Sequence, residues 1–326
     1  MSREMQLQRW ELKYIIPEKT AQAVRHFVSA YTVLDDYGVG KPHNSYPIHS
    51  LYLDSEALTI YWHTINGNKN RFKLRLRFYD NQPDSPVFFE IKRRMNNAIL
   101  KQRGGVRRKS VDYILAGHLP QPEHLVKQGN PKELVALQRF SQYLKEYKAV
   151  PKAHVHYLRE AWVSPHDNSL RVTFDRNVLI SAEPTARLET DQVNPTCVFG
   201  KDVVLEFKFT GRFPDFLREC ARVFGLTTTT AAKYADGIAL KGEKYFGWNN
   251  AIQHLRARQP LEEFDDQHVF HEEVRATRRC FECPMANQRP VARRSRCAFA
   301  VDWALGIASL VCLAYSFRRN PNLESA

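Results

Sequence analysis

The sequence predicts an α+β fold, in which eight mostly antiparallel strands form a β-barrel with helices packed outside and an irregular C-terminal tail. Eight short segments alternate apolar and polar residues, which is the pattern of a strand with one buried face. Several segments are separated only by short turns, such as Asn81–Pro86 and Met95–Ala98. Such short links favour hairpins over parallel crossovers. Amphipathic helices between the strands can cover their apolar faces.

The clearest strand is Arg71–Tyr79, which contains R-F-K-L-R-L-R-F. Phe72 and Leu74 point to one face, whereas Lys73 and Arg75 point to the other. The same alternation predicts the remaining seven strands: Arg9–Ile15, His49–Asp54, Val87–Arg94, Leu100–Arg107, Ala153–Val163, Leu170–Ile180 and Val203–Phe209. Their polar faces consist mainly of Arg, Lys and Glu, so the barrel would have a charged interior large enough for one ligand.

Four helices are predicted between these strands. Pro17, Pro131 and Pro214 each stand where a first-turn proline would begin a helix. Apolar residues at helical spacing follow each proline. The predicted helices are Glu18–Ala30, Ser55–Ile65, Lys132–Lys148 and Asp215–Phe224.

The chain divides into three regions. We expect residues 1–248 to form the folded domain and residues 249–296 to form a basic linker or tail, because periodicity decays there. Residues 297–317 are mostly apolar and long enough to cross a membrane, but Asp302 interrupts them. The alternatives for this segment are a membrane anchor and a loosely packed tail. The N-terminus has no apolar run, so we expect a cytoplasmic protein that the C-terminal segment could anchor.

The net charge of +13 over 326 residues favours an anionic partner. Specific nucleic-acid binding is disfavoured, because the aromatic residues lie on the strand faces opposite the cations rather than among them. A solvated outer face with cross-strand ion pairs would explain any single strand. Repetition over most strands instead favours a shared cavity, and its glutamates are suited to hold Mg²⁺ or Mn²⁺ together with phosphate oxygens.

Eight motifs in order resemble the VTC polyphosphate-polymerase domain of the triphosphate tunnel metalloenzyme superfamily. They span roughly residues 3–246 and are R-W-E-L-K-Y at 9–14, S-L-Y-L-D at 50–54, L-R-L-R-F-Y at 74–79, F-F-E-I-K-R at 88–93, Y-L-R-E-A at 157–161, L-R-V-T-F-D at 170–175, L-E-F-K-F at 205–209 and A-K-Y at 232–234. The resemblance implies a β-barrel tunnel that binds ATP and inorganic polyphosphate with Mn²⁺ or Mg²⁺. It also implies transfer of the γ-phosphate of ATP to a growing polyphosphate chain.

The resemblance also assigns residue roles. Phosphate binding is expected of Lys13, Arg75, Arg77, Lys92, Lys101, Arg159, Arg171 and Lys233. Arg75, Arg77, Lys92 and Lys233 would be the catalytic members of this set. Glu206 would bind the metal, with Glu11 and Glu90 as further candidates.

Two departures from the family pattern keep alternatives open. Arg9 replaces the first glutamate of the superfamily's E-x-E-x-K strand, which favours a polymerase over a triphosphatase. Ala232 stands where the polymerases often have a phosphate-contacting serine. The alternatives are therefore a triphosphatase of the same fold and a non-catalytic polyphosphate-binding module.

Overall fold

The structure is a computed structural model that describes residues 9–95, 98–167 and 169–247. All eight predicted strands are present. In chain order, with two short additional strands, they are β1 Arg9–Ile16, β2 Val33–Leu34, β3 Ser45–Asp54, β4 Asn70–Phe78, β5 Val87–Met95, β6 Ala98–Val106, β7 Val150–Val163, β8 Leu170–Ala182, β9 Thr196–Cys197 and β10 Val203–Thr210.

The strands form one sheet with the order β1-β10-β8-β7-β3-β4-β5-β6, while β2 pairs with β7 and β9 pairs with β8. Each of these pairings is antiparallel. The predicted α+β class and antiparallel topology are therefore confirmed. Two details differ from the prediction: the sheet has ten strands, and among the described residues no strand pairing joins its two edges, β1 and β6, into a closed barrel.

The four predicted helices are also present, together with two that were not predicted. The helices are α1 Glu18–Ser29, α2 Thr59–Ile65, α3 Val111–Leu115, α4 Pro131–Tyr147, α5 Asp215–Val223 and α6 Lys233–Lys241. Short 3₁₀ turns cover Pro42–Asn44, Arg108–Ser110, Pro122–His124 and Glu243–Phe246. Helix α2 begins four residues later than predicted, because Leu58 adopts a left-handed conformation with φ of 54° immediately before it.

The apolar faces of the strands are buried in three hydrophobic clusters. One cluster packs the β4–β6 strands against α3 and α4, through residues such as Phe89 and Phe140. A second packs β3, β7 and β8 against α6. The third packs β1, β8 and β10 against α1 and α5. Since the helices cover these faces, the opposite faces of the strands are left to hold the charged residues.

Nothing in the described part of the chain tests the C-terminal predictions. Among the described residues, no helix has both the length and the apolar character needed to cross a membrane. The predicted linker 249–296 and the apolar segment 297–317 both lie outside those residues.

Candidate functional site

Charged side chains from most strands share one face of the sheet, which we call the cationic face. Its cations outnumber its carboxylates: Lys13, Lys73, Arg75, Arg77, Lys92, Lys101, Arg103, Arg159, Arg171, Lys208 and Lys233 accompany Glu11, Asp35, Glu90, Asp175 and Glu206. The ion pair between Lys92 Nζ and Glu11 Oε2, at 2.9 Å, links β5 to β1. These strands lie far apart in the strand order, so the sheet must curl until its charged residues meet.

Glu90 organises the cations of β4, β5 and β6. Its side chain is fully buried, and Arg75 Nη2 lies 2.7 Å from Oε2. Arg77 Nη1 lies 3.9 Å from the same oxygen. On the other side, Lys101 Nζ lies 2.9 Å and Arg103 Nε 3.7 Å from Oε1. One carboxylate therefore holds four cations in position.

Arg75 and Arg77 have further polar contacts on the strands beside β4. Arg75 Nη1 donates to the hydroxyl of Tyr52, 3.2 Å away. Arg77 donates to Ser50 Oγ and to the hydroxyl of Tyr157, 3.3 Å away. These contacts, together with the pairing to Glu90, fix the direction of both guanidinium groups.

Glu206 organises a second group of cations. Its Oε2 accepts a hydrogen bond from Lys208 at 2.5 Å, and its Oε1 accepts one from Lys233 at 3.1 Å. Lys13 Nζ and Arg159 Nη2 each lie 3.7 Å from this carboxylate. The predicted metal ligand is therefore surrounded by cations from four elements.

Asp175 joins two of these cations from the neighbouring strand. It accepts two hydrogen bonds of 2.6 Å from Arg159, and Lys233 Nζ lies 2.8 Å from its Oδ2. Lys233 is the first residue of α6 and is buried. The helix thus delivers one lysine onto the sheet between two buried carboxylates.

Arg171 lies at the border of the cationic face rather than within these two groups. It donates to Asp35 and to the hydroxyl of Tyr46, and its side chain is 37% exposed. In the strand register it lies opposite Lys208. The structure thus brings all the predicted phosphate-binding residues to the same face, where Arg171 and Lys101, with side chains 37% and 45% exposed, are the more exposed members.

The charges of the face depend on one another. Burial alone would raise the pKa of Glu206, but Lys208, Lys233, Lys13 and Arg159 hold it well below its ordinary value. For Glu90, Arg75, Arg77 and Lys101 outweigh burial in the same way and lower the pKa. Both carboxylates are therefore ionised at neutral pH.

Lys73 differs from the other cations because it has no acidic partner within ion-pair distance among the described residues. Burial lowers the pKa of Lys73 to about 8. Burial would raise the pKa of its neighbour Tyr52, but Arg75, Lys73 and Arg77 lower it to about 8. Lys73 therefore adds positive charge to the face that is not paired with a carboxylate in the described part of the chain.

The residue roles assigned from the sequence omit Lys73, Tyr52, Asp175 and Lys208, which the structure places at the site. Alternation offered a signal for three of them, because Lys73 lies on the face of Arg75, Asp175 on that of Arg171, and Lys208 on that of Glu206. Tyr52 has no such signal, because nothing in its own strand indicates that Arg75 lies beside it.

The oxygen atoms around Glu206 are suited to bind a divalent cation that also binds phosphate. The hydroxyl of Thr173 lies on the strand position opposite Glu206 and has no hydrogen-bond partner among the described residues. Lys13 Nζ lies 3.2 Å from Glu11 Oε1 and 3.7 Å from Glu206 Oε1, which places the two carboxylates on either side of one lysine. Within the described residues, however, no group of three or more acidic, histidine or cysteine side chains could hold a metal alone. The other ligands would have to be phosphate oxygens and water, a set that Mg²⁺ commonly takes.

The VTC domain family matches residues 8–241 of this chain, and the chain belongs to that family. The match covers all ten strands and all six helices described above.

Three solved structures show low similarity over most of the domain. A protein from Bacillus halodurans, described as an adenylate cyclase candidate, is 12% identical, covers 68% of this chain and 91% of its own, and has a TM-score of 0.39. A Pyrococcus horikoshii protein is 11% identical, with coverages of 72% and 99% and a TM-score of 0.36. An adenylyl cyclase candidate from Hippeastrum, described as having a dominant triphosphatase activity, is 14% identical, with coverages of 70% and 94% and a TM-score of 0.42. No curated protein matches the chain.

Proposed function

We propose that this protein is a polyphosphate polymerase that transfers the γ-phosphate of ATP to a growing chain of inorganic polyphosphate. The main support for the proposal is the excess of cations over carboxylates on the cationic face. The elements that contribute charged residues to it are β1, β4, β5, β6, β7, β8, β10 and α6. A polyphosphate chain has a negative charge on every unit, so it needs a long row of cations rather than one anion site. Membership of the VTC domain family supports the same function.

Phosphoryl transfer depends mainly on positioning and on neutralising the negative charge of the transferred group. Arg75 and Arg77 are held by Glu90, and Lys233 is held by Asp175 and Glu206. These fixed cations would bind the triphosphate and the transferring group without reorganising. Lys92, paired with Glu11 across the curled sheet, would contact the phosphates from the opposite side. The attacking oxygen belongs to the polyphosphate chain itself, so no nucleophilic side chain is required.

Glu206 is the residue we expect to hold Mn²⁺ or Mg²⁺, with Glu11 and Glu90 as further candidates. The metal would supply additional neutralisation of phosphate oxygens. Glu206 now neutralises Lys208 and Lys233. Binding of a triphosphate would give these lysines other anionic partners and would leave the carboxylate free to accept a cation.

The decisive experiment incubates the protein with ATP and Mn²⁺ and separates long polyphosphate from free phosphate. Polymer formation supports the proposal. Release of phosphate without polymer would instead show a triphosphatase, and polyphosphate binding without ATP turnover would show a binding module.

Substitutions at the cationic face link this activity to the site. Arg75→Ala, Arg77→Ala and Glu206→Gln are expected to reduce turnover by at least about 100-fold, the range seen when one charge-stabilising group is removed. Urea unfolding of each variant is needed as a control, because loss of folding would mean that these residues are only structural. Full polymerase activity in Arg75→Ala would contradict the assignment.

A further inference from the structure

Tyr52 has a hydroxyl that accepts a hydrogen bond on the cationic face but donates none. The residue lies on β3 and is 6% exposed, and its hydroxyl oxygen accepts from Arg75 Nη1 at 3.2 Å. The O–H proton of Tyr52 has no acceptor among the described residues. Because a buried donor without an acceptor is costly, this hydroxyl is suited to donate to a ligand.

The ring of Tyr52 is held in a position that keeps its hydroxyl beside Arg75. It stacks on the ring of Tyr234, with the ring centroids 4.7 Å apart and an angle of 15° between the ring planes. Tyr234 is fixed in turn, because it is buried and its hydroxyl donates to Asp54 Oδ2 at 2.9 Å. The unused donor of Tyr52 is therefore preorganised on the cationic face.

Lys73 is a second donor without a partner, and the strand register places it near Tyr52. Its side chain is half-buried, and it has neither a hydrogen bond nor an ion pair among the described residues. Tyr52 lies opposite Arg75 in the pairing of β3 with β4, and Lys73 is two residues before Arg75 on the same strand face. Such diagonal positions are about 7–8 Å apart, which long side chains can span.

The two free donors are suited to the same kind of ligand. Lys73 also lies opposite Lys92, and like charges on opposed strand positions repel each other, so an anion here would relieve repulsion. A phosphate group has several acceptor oxygens as well as negative charge, so it can accept from Tyr52, Lys73 and Arg75 together. If Tyr52 only oriented Arg75, it would use its accepting oxygen but not its O–H proton.

We propose that Tyr52 and Lys73 form a further phosphate-binding subsite, in which the Tyr52 hydroxyl and the Lys73 ammonium donate to oxygens of one phosphate unit of a linear phosphate chain. This inference rests on the proposed function for the identity of the ligand. It adds two residues to those assigned to phosphate binding and extends the binding surface from Arg75 towards the start of β4.

The first test measures the binding of tripolyphosphate to the full-length protein by calorimetry. Tyr52→Phe removes the hydroxyl and keeps the ring that stacks on Tyr234. The affinity is expected to fall about tenfold, since a hydrogen bond to a charged group is lost. The control Tyr61→Phe removes the hydroxyl of another buried tyrosine, which donates to Glu243 Oε1 at 3.0 Å, and should leave the affinity unchanged. Urea unfolding checks that both variants are folded.

A second measurement separates contact with phosphate from positioning of Arg75. When Tyr52→Phe is added to Arg75→Gln, the affinity should fall about tenfold again, because the hydroxyl acts on the phosphate itself. No further loss would show that Tyr52 acts only through Arg75 and would overturn the inference. Unchanged affinity in Tyr52→Phe alone, or an equal loss in Tyr61→Phe, would also overturn it. A protein that forms no polymer would contradict the proposed function, whereas this comparison requires no turnover.

Discussion

Lys73 is a half-buried cation that has no acidic partner among the described residues, and its charge is therefore costly. Replacing it in Lys73→Met is expected to raise the free energy of unfolding at pH 7 by about 1–2 kcal/mol, because a partly desolvated charge without a counter-charge is removed. The same substitution should weaken tripolyphosphate binding about tenfold, because it removes a cation available to phosphate. Urea unfolding measures the first effect and calorimetry the second.

The pH dependence provides an independent check on Lys73. Burial lowers its pKa from 10.5 to about 8 in the folded protein, so the unfolded chain binds more protons between these values. Stability that depends on Lys73 therefore rises with pH from about 8 to 10.5. The stability difference between Lys73→Met and the unsubstituted protein should shrink over that interval. A constant difference would contradict the low pKa. Lys132→Met, at an exposed position of α4, is the matched control.

Glu90 is expected to be the most important single acid for folding, since Arg75, Arg77, Lys101 and Arg103 all surround it. Glu90→Gln leaves these cations without a counter-charge and should lower the free energy of unfolding by about 3–5 kcal/mol. Thermal unfolding measured with and without tripolyphosphate tests this prediction. The ligand should raise the Tm of the variant more than that of the unsubstituted protein, because it replaces the missing negative charge.

Glu189→Gln is the control for Glu90, because it removes an acid that pairs with Arg187 but is 56% exposed. Its expected effect is below about 1 kcal/mol. Equal stability of the two variants would show that Glu90 does not neutralise the cations around it.

At the scale of the elements, β3 and β7 are joined by a histidine cluster that consists of His49, His154 and His156. His49 Nδ1 lies 3.0 Å from His154 Nε2, and the rings of His49 and His156 stack at 4.3 Å. Alternation along β7 places His154 and His156 on one strand face, and β3 adds His49 beside them. Among the described residues no histidine group is arranged to hold a metal ion, and packing and hydrogen bonding within the sheet explain the cluster.

The histidine cluster should make the protein sensitive to acid. Burial lowers the pKa of both His49 and His154 from 6.5 to about 3. Their neutral forms therefore favour folding above pH 6.5, and this contribution is lost as the pH falls from 6.5 towards 3. Each histidine can account for up to about 1.4 kcal/mol per pH unit in that interval. Urea unfolding between pH 7.5 and about 4.5 measures the slope.

In His154→Gln the free energy of unfolding should change less steeply with pH. The slope is expected to decrease by up to about 1.4 kcal/mol per pH unit, which corresponds to one fewer proton taken up on unfolding. His166→Gln, at an exposed loop position, should leave the slope unchanged. Identical slopes in both variants would mean that other groups cause the acid sensitivity.

The elements were more predictable than their arrangement. Strict alternation located every long strand, and first-turn prolines located α1, α4 and α5. The first residues of β3 were missed because they include Pro47, which usually opposes a strand assignment. Helices α3 and α6 were missed because one has only five residues and the other contains Gly237. Packing against the sheet stabilises such segments more than their own propensity does.

At the scale of the whole molecule, the sequence indicated which residues face the charged side but not which of them meet. Alternation assigns a face to each residue within its own strand. The contact between Lys92 and Glu11 depends on the strand order and on how the sheet curls. The pairing of Asp175 with Lys233 depends likewise on the placement of α6. These are long-range consequences of packing that no local pattern encodes.

The predicted boundary near residue 248 leads to a test of the domain organisation. Every residue assigned to the proposed reaction lies between Glu11 and Lys233. A protein shortened to residues 1–248 is therefore expected to unfold cooperatively in urea and to keep the turnover of the full-length chain. If residues 297–317 anchor the protein, the full-length chain should sediment with lipid vesicles while the shortened protein stays in the supernatant. Equal sedimentation would contradict the anchor, and loss of cooperative unfolding in the shortened protein would contradict the boundary.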